Sequence, residues 1–255
     1  MFTTKQFKLT RTKMLSYLDE LEVISETANT IYLPPGISQS EVDSYLRQIP
    51  AIASVSADAS KNIVTSQTGT VIFWGQTYRR LIVPPFPIKV KYLTTGYDIA
   101  PLQTLLTHNY RIGIVLVRLG SYSIGICAGE TLILHKTGTG LVHSRHRQGG
   151  SSAARFQRRR EDQTHHFLER VGEHIREIFE PYTKQLDYFV YGGAWTTIQQ
   201  LQKQCDFLRQ FDDRLLPPLL EIPDPRFTVL ETAVTQVWSS RVTEWREEKT
   251  LNPKF

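Results

Sequence analysis

Gln148-Gly149-Gly150-Ser151-Ser152-Ala153 is a small, uncharged segment set between arginines, and of all stretches in this 255-residue chain its composition best suits chemistry. Adjacent glycines open left-handed backbone conformations and let N–H groups approach a ligand that a Cβ would block. Residues 136–160 contain no Asp or Glu, and Lys136, Arg145, Arg147, Arg155, Arg158, Arg159 and Arg160 give them a formal charge of +7. The whole chain carries +5, so everything outside this stretch stands at −2 and the basic character is local. Localised positive charge is an electrostatic footprint for phosphate. In one reading the arginines hold phosphates while the small tip enters a pocket walled by nucleic acid. In the other, the segment is a surface loop with a Gly-Gly turn and solvated arginines, and composition leaves both open.

Other chemistries find less support. His143 and His146 could join the arginines at phosphate, but their HSRH spacing is loose for a metal and no Cys lies nearby. His165 and His166 are neighbours on a helical stretch and point in different directions, so no metal site is expected and no cofactor is implied. No Ser-His-Asp or Cys-His set is evident, and the acidic residues do not follow the order of RNase H metal ligands. Gly192-Gly193 reads as a tight turn, because no P-loop Lys and Ser/Thr accompany it.

The elements that must position this loop can be read from periodicity. Residues 111–119 and 121–128 predict two strands with a turn at Gly120, and residues 131–135 a third. After the basic stretch, Phe156, Phe167, Leu168, Val171, Ile175, Ile178 and Phe179 mark one face of a long helix that Pro181 ends. Arg155, Arg158 and Arg159 then fall in its first turns, where cations oppose the helix dipole at about 0.3–1 kcal/mol each. Residues 186–191 predict a buried strand, residues 196–208 a helix, and residues 219–222 a further strand. A closing helix is expected from about Asp224 to Lys249. Upstream, residues 1–13 read as a polar lead and residues 14–23 as a helix. Ser38 and Glu41 form a capping box that opens a second helix. Residues 69–74 and 78–83 form a hairpin, and a linker follows around Tyr92 to Asp98. The expected division is therefore an α+β region over residues 1–97, with no role assigned, and an α/β domain over residues 98–255: a mixed sheet with flanking helices.

Length and composition fit a globular chain able to bury a sizeable core, being 40% hydrophobic and 22% charged. Cys127 and Cys205 sit in apolar runs and read as two buried free thiols, which suits a reducing cytoplasmic setting. The N-terminus lacks the apolar core of a signal peptide, and no run of about 18 apolar residues exists, so no membrane association is expected.

Residues 149–160, GGSSAARFQRRR, resemble the central domain of the archaeal and eukaryotic class I release factors. In that family a GGQ tripeptide is followed by Ser-Ala-x-Arg-Phe opening a long helix, and Gly149, Gly150, Ser152, Ala153, Arg155 and Phe156 match in register. The approach through Leu134-His135-Lys136, residues 188–193 and Asp213-Arg214-Leu215 fall in the family's order, so the resemblance covers roughly residues 100–247. It implies an RNase H-like α/β fold. A stand-alone domain of this kind looks most like the release-factor-like peptidyl-tRNA hydrolases of ribosome rescue and quality control, some of which carry GxxQ.

The resemblance implies a monomer that meets the ribosome through large-subunit rRNA and peptidyl-tRNA. Gly149, Gly150, Ser151 and Gln148 would be the catalytic group, and Arg145, His146, Arg147, Arg155, Arg158, Arg159 and Arg160 would lie at nucleic acid. Ester hydrolysis needs a placed water and donors for the developing oxyanion. In the family much of this is ascribed to the backbone N–H after the glycines, which here belongs to Ser151. The glutamine itself is absent: the GGQ position is Ser151 and the GxxQ position is Ala153. Weakened hydrolysis is therefore expected. The alternatives are a non-hydrolytic ribosome- or tRNA-binding factor on the same fold, as Pelota-type rescue factors are, and a generic RNA-binding α/β protein.

Overall fold

The computed structural model describes residues 2–49, 52, 56–142 and 153–247. The chain divides into two compact units. One holds the residues up to His108 together with those from Trp238 onward; the other is Asn109–Val237.

In the first unit, β1 (Phe2–Leu9), α1 (Arg11–Glu22), β2 (Asn29–Leu33), α2 (Gln39–Arg47), α3 (Ser56–Val64), β3 (Thr70–Trp74), β4 (Arg79–Val83), β5 (Tyr92–Thr95) and α4 (Ala100–Thr107) follow in order. The Ser38–Glu41 capping box opens α2 as expected, with both reciprocal bonds made. The sheet has the strand order β1-β10-β4-β3-β2-β5, in which β10 is the chain's last strand, residues Ser240–Glu247. Strand alternation gives the sheet two apolar faces. Val42, Leu46 and Ile63 of α2 and α3 cover Ile31, Ile72, Trp74, Leu81 and Trp245. On the other face, Met14, Leu18, Leu102 and Leu106 of α1 and α4 cover Tyr32, Val71, Phe73, Ile82 and Val242. A buried ion pair joins β4 to β10: Arg80 Nε donates to Glu244 at 2.8 Å, and its guanidinium lies 4.2 Å from the Tyr17 ring centroid. Burial by itself would raise the Glu244 carboxyl; the hydrogen bonds from Arg80 and Arg246 outweigh it and hold the group below the usual range.

In the second unit, β6 (Arg111–Arg118), β7 (Ser121–Ala128) and β8 (Thr131–Thr139) form an antiparallel meander. α5 (Ala153–Phe179) crosses to β9 (Tyr188–Gly193), which pairs parallel with β6. The order β8-β7-β6-β9 is that of an RNase H-like sheet, and the fold class matches the expectation. α5 and α6 (Trp195–Gln204) bury Phe167, Leu168, Val171, Ile175, Ile198 and Leu201 on one face, while α7 (Phe227–Val237) packs on β6, β7 and β8. β6 is buried at every position between its terminal arginines, which explains its unbroken apolar run.

Several expectations are corrected. Residues 2–9 are an edge strand, whose exposed polar side chains read as a lead because an edge needs little apolar patterning. The expected linker holds β5, which pairs with β2. α6 ends at Gln204, where the chain tightens into a 3-10 segment, Asp206–Arg214. The strand expected at residues 219–222 is a single bridge between Gly192 and Leu220. The closing helix stops at Val237, and β-branched Val242 and Thr243 continue instead in β10, between β1 and β4. The contacts accordingly group residues 98–108 and 238–247 with the first unit, where an uninterrupted domain over residues 98–255 was expected.

Candidate nucleic-acid interface

Residues 143–152 lie outside the described residues, and with them Arg145, His146, Arg147, Gln148, Gly149, Gly150 and Ser151. The elements on either side, β8 and α5, are described, and they lock together. Lys136 of β8 donates to Glu177 Oε2 of α5 at 2.6 Å, with His174 Nδ1 3.2 Å from the same oxygen. Lys136 first, then His174, hold the Glu177 carboxyl below its ordinary range. Arg170 Nη2 donates to the Thr139 carbonyl at 2.8 Å, and the His174 ring stacks on Tyr122. Gly140 is needed here for a close approach: a Cβ would fall 2.5 Å from the Phe167 ring and 2.6 Å from Arg170. The charge of Lys136 is therefore satisfied within the fold and is withdrawn from the basic stretch counted in the sequence.

α5 carries the remaining charge. Its apolar stripe begins at Phe167; from Ala154 to His166 no residue is buried. That is about 20 Å of helix at 1.5 Å per residue with no core beneath it. The described arginines divide in two around this shaft. At about 100° per residue, Arg155, Arg158 and Arg159 fall together on the side away from the buried stripe, and all three are exposed. Arg160 falls on the stripe's own side with Phe156 and is half-buried. The first turn has no acidic residue, so Arg155 faces the positive end of the helix dipole with no carboxylate in that turn.

Elsewhere the site chemistry is spare. Gly193 has φ +126°, and a Cβ there would lie 2.0 Å from the Val117 carbonyl oxygen. Residues 192–193 are not the expected tight turn: they close β9, paired with Leu116 and Val117 of β6, and glycine is required because a Cβ at either position would strike β6. Arg214 donates to the carbonyls of Thr183, Leu186 and Gln210, a structural role that nothing local in the sequence signals. Cys127 and Cys205 are buried and free, and burial pushes the Cys127 thiol up to about 12, away from nucleophilic use. Among the described residues no group of His, Cys, Asp and Glu could hold a metal, and no helix is long and apolar enough to cross a membrane.

An RNase H-like sheet whose third strand is followed in the chain by a Gly-Gly sequence and then by a long basic helix defines a release-factor-type central domain. The chain belongs to the Actinobacteria/chloroflexi VLRF1 release factor family, which it matches over residues 110–243. It is similar to peptide chain release factor subunit 1 of Archaeoglobus fulgidus, at 27% identity over 198 residues, covering 67% of this chain and 49% of that protein. The same factor from Picrophilus torridus is 24% identical over 238 residues, covering 82% and 58%. The chain thus spans about half the length of the curated relatives it matches. Among solved structures, the archaeal translation termination factor aRF1 aligns over 90% of this chain and 73% of its own, at 22% identity and a TM-score of 0.41. The Vms1 mitochondrial localization core aligns over 83% and 82%, at 12% identity and 0.42.

Proposed function

We propose that this protein is a release-factor-like peptidyl-tRNA hydrolase that acts on the ribosome in rescue of stalled translation. The observation that carries it is the basic shaft of α5, which has no buried residue from Ala154 to His166 and begins three residues after Gly149-Gly150 in a chain of the release-factor family. In this reading, Arg155, Arg158 and Arg159 hold rRNA or tRNA phosphates, and so do Arg145, His146 and Arg147, which precede the glycines in the chain. Phosphate contacts fix register and position without reading sequence. Gly149 and Gly150 leave room for the ester at the chain's backbone, the Ser151 N–H supports the developing oxyanion, and Gln148 stands beside them. The partners are large-subunit rRNA and peptidyl-tRNA, and the protein works in the cytoplasm as a monomer.

A second reading rests on one residue. Ser151 stands where the release-factor motif carries glutamine, which favours a factor that binds the ribosome without hydrolysis. Release of labelled peptide from peptidyl-tRNA on stalled 50S and 70S particles separates the two. Wild-type release that is lost in Gly150→Ala, with ribosome binding retained, is the expected result. Release by Ser151→Gln alone would establish the binding factor instead, and silence from both would remove hydrolysis from the account.

A further inference from the structure

The first unit carries a second cationic surface on the α2/α3 face of its sheet, at the β1–β10 end. A groove of about 330 Å³ opens there beside α3. Lys8 of β1 and Arg241 of β10 are direct cross-strand partners, with Gln6 and Thr243 paired two residues along. Asn62 of α3 and Thr65, just past the helix end, also line it, with Leu81 and Val83 of β4. No Asp or Glu is among the groove's lining residues, and no described carboxylate pairs with Lys8 or Arg241. Of the two acidic residues of this strand pair, Glu244 lies on the other face of the sheet with Arg80, and Glu247 is the last residue of β10, six positions from Arg241.

Like charges directly opposite on antiparallel strands destabilise a sheet. An arrangement that keeps two cations side by side with no carboxylate partner among the described residues, and with amide and hydroxyl groups beside them, is complementary to a polyanion. Asn, Gln and Thr side chains are the usual companions of Lys and Arg at phosphate and ribose. We infer that this groove binds the phosphodiester backbone of RNA, giving the first unit a nucleic-acid contact separate from the arginines of α5. The inference rests on the proposed ribosomal role.

The test uses the full chain and a fluorescein-labelled single-stranded 12-mer RNA, with affinity read by anisotropy over a salt series. The variants are Lys8→Gln/Arg241→Gln, Arg155→Ala/Arg158→Ala/Arg159→Ala, and their combination. Loss of two single-strand phosphate contacts should flatten the slope of log affinity against log salt by about 1.4 in the groove variant. The same decrement should recur in the combined variant. Its melting temperature should hold or rise, because a like-charge pair has been relieved, and this separates lost binding from lost folding. An unchanged slope in the groove variant, with binding weakened only by the α5 substitutions, overturns the groove and leaves the ribosomal role standing. Displacement of the labelled RNA from the wild type by polyglutamate as effective, at equal charge concentration, as by unlabelled RNA overturns RNA as the occupant. A wild-type chain that binds no RNA removes both the groove and the role on which it rests.

Discussion

At the scale of single residues, charge and backbone space decide what each group can do. Four arginines that look equivalent in the sequence part company on the helix: Arg155, Arg158 and Arg159 are exposed together, while Arg160 turns toward the stripe. Lys136, counted in the same basic run, is held by Glu177. The glycines divide as sharply. Gly193→Ala would force a positive φ on a side chain and drive its Cβ onto the Val117 carbonyl, so a loss of about 3 kcal/mol or more is expected in denaturant unfolding. A variant as stable as wild type would show that β6 and β9 can separate at that point. The missing P-loop signature excluded a phosphate site at Gly192-Gly193, but the tight turn expected there is the end of β9, because pairing with β6 some 76 residues earlier leaves no local mark. The Lys136–Glu177 pair was not legible either, since the partners stand 41 residues apart and meet only when β8 packs on α5.

At the scale of elements, the two that flank residues 143–152 are one assembly. β8 and α5 are joined by an ion pair, by the Arg170–Thr139 hydrogen bond and by the close seat of Gly140. The ion pair makes part of that assembly depend on pH. The carboxyl of Glu177 is depressed in the folded state from an ordinary value of 4.5, so its contribution is present above that value and is lost as pH falls through the folded value. Lys136→Met should therefore lower the denaturant midpoint at neutral pH, and the difference should shrink as pH falls through the folded-state value of Glu177, below which the carboxyl is protonated in both states. A difference that stays the same across that range would show that the lysine acts through packing alone. The strands, the capping box and the long helix could be read from local periodicity. The end of α7 could not: Val229 to Val237 keeps a helical period, and what converts the following residues to β10 is pairing with β1 and β4, more than 150 residues earlier. The same cause hid β1 and β5, whose identity as edge strands comes from their neighbours.

At the scale of the molecule, the second unit is inserted within the first. Asn109–Val237 is continuous and holds its own core of α5, α6 and the four-stranded sheet. The first unit lacks a central strand until β10 is supplied from the other end of the chain. A fragment of residues 109–237 should melt cooperatively on its own, followed by circular dichroism. A fragment of residues 2–108 should not, and adding residues 238–247 as a separate peptide should restore its transition. Autonomous folding of residues 2–108 would show that β1 can pair with β4 directly. No single-chain pattern announces an insertion, because the sequence presents the strands in synthesis order and the sheet arranges them otherwise.

The last strand of the first sheet also sets a clock. During synthesis, domains usually fold in the order in which they emerge. Here the earlier segment must wait: residues 109–237 can close around their core while the first 108 remain an open sheet, until residue 247 has left the ribosome. A chain interrupted before that point carries a finished inner unit and an unfinished outer one, exposed to proteases. This member of a release-factor family thus completes its own first sheet only if its own translation has run through β10.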